Sequence, residues 1–307
     1  MIAQPGPAAT PSLPRRWRQW WRYWVRDPLL GGLNFAMHYL SRQLPIDTAS
    51  AAGAWLAGMN GRFRFQAVRD RVRRGYAALA GAGDREAAAT RLFAEIGRVM
   101  MEFSALDRLW AAGRIAVAGA EHLTAARAAG KPVIVMGLHL SNWEVIGPAL
   151  IGLGLRFKFI YQPPRSRFEH RIAAAARRRY GAVLLQPGIP AARIAHRLLV
   201  AERGILLIFA DDERKGYVNA PLFGRPVMPR ANLLNIARLA QASGAAVIPA
   251  YAERLGGARF RVNFLPPVEL AEDGDTLENV HRLDATIAPL VSARLDQWYM
   301  LVDYHRG

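Results

Sequence analysis

The 307-residue chain has no cysteine and only three lysines, Lys131, Lys158 and Lys215. Lacking cysteine, it has no disulfide scaffold, no cysteine zinc site and no thiol nucleophile. Acidic residues are scarce too: 24 Asp and Glu face 41 Lys and Arg, and the resulting formal charge of +17 favours polyanionic partners. No Gly-rich nucleotide fingerprint is present, so neither ATP, NAD nor any other cofactor is expected. No second His or Cys stands at ligand spacing from the candidate residues below, so no metal is expected either. The apolar stretch Pro28 to Ser41 carries Asn34 and His38 and falls short of the ~20 apolar residues that cross a bilayer. It also lacks the small-residue cleavage site of a signal peptide. A hydrophobic fraction of 52% against 21% charged residues excludes a disordered protein. The length suits one large single-core domain with an extra terminal segment.

The chain opens with a leader, residues 1–14, where Pro5, Pro7, Pro11 and Pro14 among small side chains predict disorder. Trp17, Trp20, Trp21 and Trp24 then fall at i, i+3, i+4 and i+7, one aromatic stripe of a helix, with Arg15, Arg18, Arg22 and Arg26 forming a basic stripe beside it. Trp at headgroup level and Arg against lipid phosphate is the chemistry of an interfacial helix. The other reading packs the Trp stripe on the protein's own core. Residues 15–60 are therefore expected as membrane-associated helices, monotopic or peripheral, with their Arg-rich flanks on the cytoplasmic face of the inner membrane.

Residues 61–307 read as an α/β domain. Helical apolar spacing runs over 86–112, followed by a buried strand at 132–137. Helices at 142–153, 168–180, 190–203 and 231–243 then alternate with strands at 157–161, 182–185, 205–210 and 245–251, and a last strand spans 259–265. Near-continuous apolar strands between helices predict a mostly parallel central sheet flanked by helices.

In such sheets the reactive groups lie beyond the carboxyl ends of strands. The first junction reads Gly137-Leu138-His139-Leu140-Ser141-Asn142-Trp143-Glu144. A His just past a strand and a carboxylate in the first turn of the next helix can meet, leaving the other ring nitrogen free as a base. Ser141 with Glu144 also fits a capping box, which needs no chemistry. The spacing leaves both readings of Glu144 open.

The block His139 to Glu144 resembles the His-x4-Glu motif of the lauroyl and myristoyl acyltransferases of lipid A biosynthesis, and the Asn-Trp-Glu ending makes it more specific than the bare His-x4-carboxylate of glycerolipid acyltransferases. Tyr161-Gln162-Pro163 is similar to the family's Tyr-Arg-Pro, Arg177-Arg178-Arg179-Tyr180-Gly181 to its Arg-x-Arg-aromatic-Gly, Asp211-Asp212 to its Asp-Gln, Leu222-Phe223-Gly224 to its Phe-Phe-Gly, Val247-Ile248-Pro249 to its apolar-apolar-Pro strand, and Gln297-Trp298 to its closing Gln-Trp. The resemblance runs from about residue 20 to the end. The chain departs from the family at Gln162, at Val227-Met228-Pro229-Arg230 and at Tyr299-Met300-Leu301.

The resemblance implies a glycerolipid-acyltransferase-like fold and direct transfer of an acyl chain from a thioester, carried by acyl carrier protein, to a hydroxyl of a lipid A precursor or related glycolipid. His139 is then the base, Glu144 its orienting partner, Arg177 the oxyanion or phosphate ligand, and Asp211 a group that places Arg177 or the acceptor. Asn142, Trp143, Tyr161, Arg179, Phe223 and Arg230 are expected to bind substrate, and the four tryptophans to touch the membrane. For Arg177 the alternative is a solvated helix end, and for Asp211 an exposed acidic turn. Arg165, Arg167, Arg171 and Arg177 to Arg179 would meet the acidic donor or acceptor phosphates. The departures leave a second acceptor class open: a phospholipid, an aminolipid or a carrier-linked glycolipid. A non-catalytic basic protein on a membrane surface or nucleic acid is the reading from another class, but no nucleic-acid module is present and no such partner is expected.

Overall fold

The computed structural model describes residues 17, 18, 20–81, 83–164, 166–214, 216–271 and 274–304. The leader at 1–14, Arg15 and Arg165 lie outside them. A π-helical turn, Arg22–Arg26, leads into α1 (Asp27–Gln43); α2 (Ile46–Phe63), α3 (Gln66–Ala80) and α4 (Arg85–Glu102) follow. The chain then turns through a 3-10 segment, Phe103–Ala105, into α5 (Leu106–Leu109). The helix expected over 86–112 is thus broken, and Arg42 from α1 reaches into the break to donate to the Ser104 carbonyl (2.7 Å) and to Asp107.

Beyond lie β1 (Ile115–Ala118), α6 (Ala120–Ala128), β2 (Val133–Gly137), α7 (Ile146–Gly152), β3 (Phe157–Ile160), α8 (Arg167–Arg179), β4 (Val183–Leu185), α9 (Ile189–Val200) and β5 (Ile205–Phe209). A small hairpin of β6 (Glu213–Arg214) and β7 (Tyr217–Val218) precedes α10 (Asn232–Ser243), β8 (Ala246–Gly256), β9 (Arg259–Phe264) and α11 (Thr276–Ser292). Seven strands form one sheet in the order β1-β9-β8-β2-β5-β3-β4, parallel at every pairing except β8 with β9. The expected mostly parallel sheet flanked by helices is the one observed. β1, α6, the hairpin and α11 stand outside the expected series; β1 is a four-residue edge strand, and the hairpin strands have two residues each.

Successive strand residues face opposite sides, so both faces of a central strand must be apolar to be covered. Ile134, Met136, Leu206, Ile208 and Val247 pack on one face with α9, α10 and α11, while Val133, Val135, Ile205, Leu207 and Ile248 pack on the other with α6 and α7. Burying each such side chain contributes ~1.5–3 kcal/mol. β2 and β5 lie side by side in unbroken register from Val133 opposite Ile205 to Gly137 opposite Phe209.

The N-terminal layer is held by a close crossing of α2 and α4. A Cβ on Gly97 would lie 2.0 Å from the Gly53 carbonyl oxygen, so only glycine permits the approach. The outer side of this layer is apolar and uncovered. Trp17, Trp20, Trp21 and Trp24 are all exposed rather than packed on the core, and Leu33, Leu40, Trp55 (64%) and Phe63 (76%) are exposed as well. Among the described residues no helix is long and apolar enough to cross a membrane. α1 is seated on α8: Phe168 fills the space over Gly31, Arg167 donates to the Tyr23 carbonyl (3.1 Å), and Asn34 to Glu169.

The crossing predicts that Gly97→Ala destabilises the protein by ~1–3 kcal/mol through overpacking. Gly58→Ala, on the same α2 with open space around its Cβ, should be neutral or stabilising by up to ~1 kcal/mol. Urea melts of the two variants check the difference.

Candidate active site

His139 stands two residues beyond Gly137 at the end of β2, and Asp211 two beyond Phe209 at the end of β5. Because Gly137 and Phe209 are paired in parallel register, both side chains emerge from the same edge of the sheet as neighbours. Asp211 Oδ1 meets His139 Nδ1 at 2.9 Å. A carboxylate only accepts, so Nδ1 carries the proton and Nε2 is left for a substrate. Asp211 Oδ2 accepts from the His139 backbone N–H (2.9 Å) and from the Trp298 indole N–H (2.8 Å). Asp211 is fully buried with both oxygens engaged, whereas the His139 side chain keeps 17% of its surface open.

The C-terminal segment closes the back of this site. Leu140 bridges to Trp298, Ser141 N–H donates to the Gln297 carbonyl, and Tyr299 N–H to the His139 carbonyl (2.9 Å). The His139 ring rests on Phe209, 4.3 Å between centroids, and Trp143 meets it edge-on at 5.2 Å. Gly137 makes room for the Phe209 ring, which a Cβ there would approach to 2.9 Å.

Glu144 does not orient His139, contrary to the role that the resemblance implied. Its carboxylate accepts from Arg177 Nε (3.0 Å) and Nη2 (2.6 Å) and from the Trp143 indole (3.1 Å). The local backbone gives the reason. Ser141 adopts a left-handed φ of 49° and the next residues form a 3-10 turn, Trp143–Val145, so His139 and Glu144 do not share one helical face. The capping box is absent as well: Asn142 Oδ1 accepts from Glu144 N–H (3.2 Å), and the buried Ser141 Oγ has no partner.

Arg177 is buried, not a solvated helix end. Its guanidinium lies 4.4 Å from the Tyr161 ring centroid and between 5.3 and 5.4 Å from those of Phe159 and Phe103. Among the described residues its buried Nη1 has no hydrogen-bond partner. Burial would lower the charge on Arg177, but Glu144 more than offsets it and holds the group firmly protonated. Burial pushes the hydroxyls of Tyr161 and Tyr180 up, so both stay neutral beside it.

The structure thus places a His–carboxylate pair and, linked to it through Trp143 and Glu144, a buried Arg. The family described as bacterial lipid A biosynthesis acyltransferase matches residues 24–306. The chain belongs to this family. No curated protein matches it. Membership makes this chain an acyltransferase with a lipid or glycolipid acceptor, as the resemblance implied.

In this acyltransferase His139, Asp211, Trp143, Glu144, Arg177 and Tyr161 are gathered into one continuous site. Phe223 lies behind it, edge-on to Trp298 at 6.0 Å. Asn142 was expected at the substrate but is fully buried, its amide nitrogen donating to Glu102 (2.8 Å). Arg179 is exposed, its guanidinium 5.9 Å from the Tyr39 ring, and Arg230 is exposed on the loop before α10. Trp298, Phe209 and Tyr299 are site residues the motif did not single out, although Trp298 sits in the closing Gln-Trp.

Removing one partner of a buried ion pair strands the other charge. Glu144→Ala is therefore expected to lower stability by ~3–5 kcal/mol. Replacing both residues, Glu144→Met with Arg177→Met, should recover most of that loss, as read from urea midpoints.

Proposed function

We propose that this family member is a membrane-associated O-acyltransferase that moves a fatty acyl chain directly from a thioester on acyl carrier protein to a hydroxyl of a lipid A precursor or related glycolipid. The observation that carries the mechanism is the bond from His139 Nδ1–H to the buried Asp211, which fixes the tautomer and aims Nε2 outward. As the acceptor oxygen attacks the thioester carbonyl, Nε2 takes its proton. The carbonyl oxygen becomes an oxyanion, for which Arg177 Nη1 is the available donor. Collapse breaks the C–S bond, and the imidazolium returns the proton to the leaving thiolate. No acyl-enzyme is formed. Asp211 orients the base, the role that the resemblance gave to Glu144, and Glu144 holds Arg177.

Two surfaces support the partners. Arg171, Arg178 and Arg179 on α8 are exposed near the site and suit an acidic carrier protein. At the N-terminus an open cleft of about 690 Å³ is lined by Trp17, Trp21, Arg18, Arg22, Arg26 and Arg64, among others, and none of these four arginines has an ion-pair partner among the described residues. Trp rings beside unpaired guanidinium groups suit an anionic lipid surface. Uncovered apolar side chains and Arg-rich flanks support a position on the cytoplasmic face of the inner membrane.

His139→Ala is expected to lose at least ~10²-fold in acyl transfer, the lower range for removing a general base. Asp211→Asn should lose a comparable factor. Turnover from acyl carrier protein measures both, and near-normal rates in His139→Ala would reject the mechanism. Mass spectrometry of membrane lipids with and without the gene names acceptor and chain together; a missing acylated phospholipid or aminolipid in place of a lipid A species would overturn the acceptor. Changing Arg18, Arg22, Arg26 and Arg64 together to Ser should weaken binding to phosphatidylglycerol vesicles by about 1 kcal/mol per residue. Binding to phosphatidylcholine vesicles should hardly change.

A further inference from the structure

We infer that Glu102 and Arg254, distant in sequence from the motif, are positioning residues for acyl transfer: through Asn142 they fix the turn that carries His139 and Glu144. The inference rests on the assignment of His139, Glu144 and Arg177 to the reaction.

Glu102 ends α4 and is fully buried. Its Oε1 accepts from Ser50 Oγ (2.6 Å) and Arg254 Nη1 (2.6 Å), and its Oε2 from Arg254 Nη2 (3.1 Å) and Asn142 Nδ2 (2.8 Å). Arg254, on β8, is held in turn by Glu95 (2.9 Å) and by the Gly257 carbonyl, and lies over the Phe260 ring. All four groups facing the Glu102 carboxylate are donors, and its oxygens accept from each of them. Asn142 must therefore turn its NH2 toward Glu102, which leaves its carbonyl oxygen for the Glu144 N–H (3.2 Å). That single bond caps the 3-10 turn, because Ser141 provides no cap.

The chain of contacts has a chemical logic beyond packing. A neutral amide at position 102 would let the Asn142 amide flip and point its NH2 at the Glu144 N–H, donor against donor. The turn would then shift, carrying Glu144 away from Arg177 and Trp143 away from the His139 ring. The carbonyl and backbone N–H of His139 itself would stay tied to Tyr299 and Asp211. The expected lesion is therefore in Arg177 placement at the transition state rather than in substrate binding.

Three variants test this: Asn142→Ala, Glu102→Gln, and the double variant Asn142→Asp with Glu102→Gln. In the double variant the new amide at position 102 donates to a carboxylate at position 142, which again accepts from Glu144 N–H and replaces Glu102 Oε2 as the acceptor for Arg254 Nη2. Misplacement on the ångström scale can cost ~10²-fold, so each single variant should lose at least about tenfold in kcat with KM for donor and acceptor little changed. The double variant should regain most of that loss. Asn142→Ala leaves Glu102 paired with Arg254 and Ser50, so it should fold even if Glu102→Gln does not. Unchanged kcat in Asn142→Ala overturns the inference, as does a folded double variant with no recovery. If the wild-type enzyme shows no acyl transfer, the proposed function fails by itself. A crystal structure of Asn142→Ala still decides the positioning role: displacement of Glu144 from Arg177 supports it, and an unmoved turn rejects it.

Discussion

The parallel register of β2 and β5 fixes where the reactive groups stand. With Gly137 opposite Phe209, residues two further along each chain are neighbours, and these are His139 and Asp211. A shift of one residue on either strand would turn alternate side chains to the other face and separate the pair. The fully buried runs Val133–Gly137 and Ile205–Phe209 guard against such a slip, since both faces of each strand lie under packed helices. Core packing therefore supplies the precision with which His139 and Asp211 are paired.

Two buried carboxylates divide the electrostatic work of the site. Asp211 faces the His139 ring and two further N–H groups. Glu144 is committed to Arg177 in a two-pronged contact, the geometry in which carboxylate and guanidinium bind most strongly. Burial of the Glu144–Arg177 pair is costly in itself. The result is a cation fixed in place whose Nη1 has no partner among the described residues.

Much of this was legible in the sequence, and the limits have physical causes. Strand ends at 137 and 210 follow from apolar runs, so His139 and Asp211 both read as lying beyond strand ends, and the structure puts them at one edge of the sheet. Which carboxylate meets the His was not legible, because strand order differs from chain order: β3 and β4 come between β2 and β5 in the chain yet lie on the far side of β5 in the sheet. Spacing favours near neighbours in sequence, and Glu144 was nearer. Ser141 and Glu144 matched a capping pattern, but Ser141 is left-handed and Asn142 takes the cap position instead. Glu102 resembles any helical surface Glu until the glycine crossing of α2 and α4 brings Ser50 against it. The tryptophan stripe, by contrast, is local, and its pairing with the arginine stripe favoured the exposed reading over the packed one, as the fold has it.

The glycine crossing has a genetic consequence. α2 and α4 carry none of His139, Glu144, Arg177 and Asp211, and much of their layer is an apolar surface. Yet the separation of these helices sets the position of Ser50 and of the last residue of α4. Loss-of-function alleles should therefore recur at Gly53 and Gly97, and by location they would be scored as defects of anchoring. Complementation at lowered growth temperature would recover alleles that only loosen the crossing, whereas true anchoring alleles would stay inactive at every temperature.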